Sequence, residues 1–106
     1  MSEYLITPWH VETNAALLRR FGKLGEELGE LQAVVCRCII QGLEETDPSS
    51  GKTNRQRLTE ELADVEAQME CTRVALGLDK NEIYKRVLKK IEGMIDWENS
   101  MDSAPF

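Results

Sequence analysis

Two short acidic stretches hold the side chains best suited to chemistry in this chain: Glu26, Glu27 and Glu30 within "FGKLGEELGEL", and Glu61 and Asp64 within "TEELADVEAQ". Each is set among apolar residues at helical spacing. At 100° per residue, Glu27 lies about 70° and Glu30 about 130° to one side of the centre of the first apolar stripe. Glu61 and Asp64 fall about 60° and 120° from the second stripe's centre, with the same sign. Two antiparallel helices related by a perpendicular twofold keep matching flanks on one side, so Glu27, Glu30, Glu61 and Asp64 are expected to converge. Parallel packing would separate them.

Carboxylates drawn together repel: two unit charges about 4 Å apart cost roughly 1 kcal/mol in water and about 4 kcal/mol at an effective dielectric of 20. A positive species should therefore sit among them. Oxygen-only ligands select a hard cation, Mg²⁺ with Mn²⁺ as its substitute, over zinc or iron. The sole histidine, His10, is distant in sequence, and no Glu-x-x-His pair exists to build a di-iron bundle. Glu60, Glu66 and Glu70 project elsewhere on the second segment and are expected to be solvated.

The elements that must position these groups are helices. Leu17, Phe21, Leu24, Leu28, Leu31, Val35 and Cys38 step by four and three residues. That helix starts either at Thr7–Pro8 or at Thr13–Asn14, both good cap sequences, and Gly42 ends it. "EETDPSSGKT" is rich in turn formers and predicts a surface loop. Thr53 with Gln56 forms a capping box that opens a second helix through Leu58, Leu62, Val65, Met69, Thr72 and Leu76, stopped by Gly77. Asp79 with Glu82 opens a third, with Ile83, Val87, Ile91, Met94 and Ile95 inward. The expected organisation is a helical domain over residues 1–98 and a loose tail over residues 99–106. The fold class is all-α: an antiparallel helical bundle completed by oligomerisation, because three amphipathic helices leave an apolar face uncovered.

Composition narrows the partners. The 106 residues carry a net charge of -6 and a pI near 4.8, which disfavours general attraction to nucleic acid or an anionic membrane. No apolar run approaches a membrane span, and the start lacks a basic region followed by an apolar one. The three cysteines, Cys36, Cys38 and Cys71, fit neither a disulfide framework nor zinc spacing and are expected to be reduced, partly buried thiols. A cytoplasmic location follows as the expectation. "SSGKT" is no phosphate-binding P-loop, since Thr46 stands where that motif needs glycine and no strand precedes it.

Glu26-Glu27-x-x-Glu30 followed by Glu61-x-x-Asp64 resembles the ordered motif pair of the MazG-like all-α nucleoside triphosphate pyrophosphohydrolases, a superfamily that also holds dimeric dUTPases and phosphoribosyl-ATP pyrophosphatases. The likeness runs from about Phe21 to Ile95 and is to the short single-domain form. It implies hydrolysis of a nucleoside triphosphate to monophosphate and pyrophosphate by a homodimer or homotetramer, in nucleotide-pool control. It further implies Glu27, Glu30, Glu61 and Asp64 as Mg²⁺ ligands and Glu26 as the residue that activates water. Lys90 aligns with a lysine of the family, and Lys52 and Asn54, in the loop between the metal-binding helices, are candidates for closing over substrate. The asparagine and arginine that many relatives carry near that lysine have no counterpart in "KKIEGMIDW". Two alternatives stay open: a non-catalytic acidic helical interaction protein, and a phosphoribosyl-ATP pyrophosphatase-like enzyme.

Overall fold

A computed structural model describes residues 8–102. It contains three helices among those residues: α1, Ala15–Gln41; α2, Asn54–Leu76; and α3, Lys80–Asp102. The chain divides into two units between Thr72 and Arg73. The first holds α1, the following loop and most of α2; the second holds the end of α2 and α3.

The helix boundaries follow local chemistry. Of the two candidate starts for α1, the later one is used: the Asn14 side chain accepts a bond from the Leu17 amide at 3.1 Å, and Pro8–Asn14 is non-helical. Thr7, part of the alternative cap, lies outside the described residues. Gly42 ends the helix at φ 101° and ψ 146°, a conformation open essentially to glycine alone. At α2 the expected capping box is present in both directions, with the Thr53 amide donating to Gln56 Oε1 at 2.8 Å and the Gln56 amide to Thr53 Oγ1 at 3.1 Å. Asp79 caps α3 by accepting from the Asn81 and Glu82 amides. α3 runs through Asp102, into the stretch expected to be loose from residue 99. No glycine or proline falls between Glu98 and Pro105, and Met101 keeps the helical apolar spacing.

Within the first unit α1 and α2 run antiparallel. At one end the buried Asn54 donates to Gln41 Oε1 and the Gly42 carbonyl; toward the other, Arg20 donates to Gln68 at 2.9 Å. The line of contact is rotated from the expected stripes. On α1 the residues withdrawn from solvent include Leu17, Arg20, Leu24, Glu27, Leu31, Val34 and Cys38, a three-and-four progression, with Arg37 partly withdrawn beside Cys38. On α2 they include Asn54, Leu58, Glu61, Val65, Gln68, Thr72 and Leu76. Phe21, Leu28 and Val35 on α1, with Leu62 and Met69 on α2, are instead exposed. Each apolar stripe is wider than one neighbouring helix can cover, so the α1–α2 pairing takes one edge of it and leaves the other in water. Cys36 and Cys71 are likewise exposed and Cys38 is half-buried; all three are free thiols.

The connecting loop has its own hydrogen-bond network. Asp47 accepts from the amide and hydroxyl of Ser49, from Arg57 at 2.8 Å and from Arg37 at 3.5 Å. Its carboxyl is held below the usual range, first by the Ser49 bonds and then by the two guanidiniums. A single antiparallel bridge between Thr46 and Thr53 closes the loop's base, and Gly51 supplies the positive φ its turn requires. No helix among the described residues is long and apolar enough to cross a membrane.

Candidate metal centre

The rotation of the α1–α2 contact moves two acids from the flank into the seam. Glu27 stands between Leu24 and Leu31 on the inner line of α1, and Glu61 between Leu58 and Val65 on that of α2. Arg20 and Gln68, which bond across the pair, lie seven residues before Glu27 and seven after Glu61, so antiparallel register sets the two acids opposite each other. Asp64, one turn beyond Glu61, joins them. One carboxylate oxygen from each of Glu27, Glu61 and Asp64 falls within 4.8 Å of the other two.

Two oxygens here are left without partners. Glu27 Oε2 and Glu61 Oε2 are buried and receive no hydrogen bond. Burial raises the proton affinity of both groups above the ordinary carboxylate range. Glu30 and Asp64 add to that rise by repulsion, while Lys23 offsets part of it at Glu27 and Arg57 part of it at Glu61. A buried acceptor that lacks a donor is costly, and a buried anion among anions more so. Only a proton or a cation relieves both at once. The donor set is entirely carboxylate oxygen, which fits Mg²⁺ or Mn²⁺ and gives zinc or iron no nitrogen or sulfur ligand.

The remaining candidates are distributed around this trio. Glu30 is exposed and lies outside the 4.8 Å group, yet close enough to raise the proton affinity of both Glu27 and Glu61. Glu26 points to solvent in an ion pair with Lys23 at 3.0 Å. Lys52 is paired with Glu60 at 2.6 Å. Asn54 is fully buried, and its amide donors fasten the loop to the end of α1. Lys90 is exposed on α3, in the second unit. Arg57 falls outside any spacing pattern built on acids alone. It stands four residues before Glu61, the separation at which helix side chains meet, and that spacing alone could have found it.

Fold and site together define an antiparallel helix pair with a carboxylate cluster in its seam. No family model matches the chain, and comparisons with curated proteins and with solved structures return no match.

Proposed function

We propose that the chain is a Mg²⁺-dependent nucleoside triphosphate pyrophosphohydrolase, releasing pyrophosphate and a nucleoside monophosphate, of the MazG-like kind. The observation that carries this reading is the meeting of Glu27, Glu61 and Asp64 in the α1–α2 seam, with buried oxygens of Glu27 and Glu61 lacking any donor. These three, with Glu30 beside them, would hold Mg²⁺ or Mn²⁺. When bound, the ion neutralises the triphosphate and orients it for attack by water at the α-phosphorus. The chain's own acids would supply the ligands, and their summed negative charge favours a divalent ion over a monovalent one. Glu26 can accept the proton of an attacking water only after leaving Lys23, and Lys52 can reach a phosphate only after leaving Glu60.

The acidic balance of the chain makes the metal the bridge between a polyanion and its substrate. Self-association as a homodimer or homotetramer belongs to the same proposal. It is supported by Phe21, Leu28, Val35, Leu62 and Met69, which stay in water along one edge of the α1–α2 pair.

The test is release of pyrophosphate from each common NTP and dNTP with Mg²⁺ or Mn²⁺. Glu61→Gln is expected to abolish turnover with helix content unchanged. Silence of the wild type toward every nucleotide, or full activity of that variant, would reject the proposal.

A further inference from the structure

α3 carries a charge pattern that makes sense only beside a partner. Every residue of the helix is exposed, including Ile83, Val87, Leu88, Ile91, Met94 and Ile95 along one broad face. From Lys80 to Lys90 it holds five cations, Lys80, Lys85, Arg86, Lys89 and Lys90, against the single acid Glu82; from Ile91 to Asp102 it holds four acids, Glu92, Asp96, Glu98 and Asp102, and no cation. This order opposes the helix's own dipole, which favours acids at the N-terminus and bases at the C-terminus. It therefore does not serve α3 in isolation.

The spacing indicates which partner resolves it. Lys80, Tyr84, Val87, Ile91, Ile95, Glu98 and Asp102 share one face, and their separations read the same in both directions from Ile91, the midpoint of the helix. We infer that α3 pairs antiparallel with α3 of a second copy of this chain, on a twofold axis at Ile91. Lys80 then faces Asp102 of the other copy, Tyr84 faces Glu98, Val87 faces Ile95, and Ile91 meets its own equivalent. Lys85 lies on the same flank as Asp96 of the opposing helix. Opposed dipoles and opposed charge halves are satisfied at once, whereas a parallel pair would set cations against cations and acids against acids. This inference rests on the self-association proposed above and gives it a surface and a register; it uses nothing of the carboxylate centre.

Cross-linking in the full chain, with Cys36→Ser, Cys38→Ala and Cys71→Ser to clear the native thiols, tests the register. Ile91→Cys is expected to give a covalent dimer with a short thiol-specific reagent. Tyr84→Cys alone should give none, because its two copies would be offset by about 21 Å along the axis. An equal mixture of Tyr84→Cys and Glu98→Cys chains should cross-link to each other. A second arm reads charge. Lys80→Glu with Lys85→Glu should raise the dimer Kd at least tenfold although it suits the isolated helix's dipole better, and adding Asp96→Lys with Asp102→Lys should restore it. A dimer that cross-links at Tyr84→Cys alone, or fails to cross-link at Ile91→Cys, overturns the register while self-association stands. A monomer at micromolar concentration, by light scattering, overturns both.

Discussion

Replacing Glu61 by Gln should stabilise the metal-free protein and weaken it relative to wild type once Mg²⁺ is added. Glu61 and Asp64 bring oxygens within 4.8 Å, a separation at which two charges repel by roughly 0.9 kcal/mol in water and about 3.5 kcal/mol at an effective dielectric of 20. Asp64 is exposed and Arg57 attracts Glu61, so the net gain from removing the charge should sit near the low end, on the order of 1 kcal/mol. For a chain of this size that is a rise in Tm of roughly 4–8 °C. The glutamine amide also offers a donor to the orphaned oxygen of Glu27. With Mg²⁺ at about one hundred times its Kd, wild type should gain about 2.7 kcal/mol, and Glu61→Gln only a small part of that, so the order of the two Tm values inverts. Thermal denaturation followed by circular dichroism, at one protein concentration, in EDTA and in Mg²⁺, reads both signs. A lower Tm for Glu61→Gln in EDTA would mean that the carboxylate supports the fold, and an equal Mg²⁺ gain in both proteins would mean that it does not bind the ion; either result refutes the reasoning.

Glu27 and Glu61 both have folded-state proton affinities raised above the unfolded values. The native state therefore holds more protons than the unfolded chain between the ordinary carboxylate range and the raised values, and metal-free stability should fall as pH rises through that window. If Mg²⁺ binds there as proposed it must displace those protons, so its increment in Tm should grow from pH 5 to pH 7.5, which a denaturation series measures. Asn54→Ala removes two hydrogen bonds of a fully buried side chain and leaves the Gly42 carbonyl with only the longer bond from the Glu45 amide at 3.3 Å, an expected loss of about 1–3 kcal/mol by urea unfolding. Gly42→Ala meets no atom within 4 Å of the added Cβ, so its expected cost of about 1–3 kcal/mol is purely backbone strain at φ 101°; an unchanged unfolding midpoint would contradict that conformation.

Helix ends were the most legible part of the sequence because they depend on a few adjacent residues: Asn14, Gly42, Thr53 with Gln56, Gly77 and Asp79 all act where their types predict. The end of α3 was less so, since Asn99 and Ser100 look like loop residues until Met101 resumes the pattern. The facing of α1 and α2 could not be read from either helix alone. Periodicity finds the centre of an apolar stripe, but which edge is used depends on the neighbour, and here Asn54 and the Arg20–Gln68 bond hold the pair so that Glu27 and Glu61 turn inward while Phe21, Leu28 and Met69 turn outward. The shared sign of the two acidic flanks did carry across, and three of the four expected acids meet. Asp47 gave no such signal, because its partners Arg37 and Arg57 come together only after the loop has folded.

That loop carboxylate links two regions that look independent. Asp47 grips Arg57, and Arg57 is the cation that tempers Glu61 one turn further along α2. Opening the loop would release the guanidinium and alter the charge felt in the seam, so one side chain ties the turn to the acid cluster. A change in amide exchange within residues 49–54 should accordingly be accompanied by a change in the proton affinity of Glu61, although no atom of the turn lies among the clustered carboxylates.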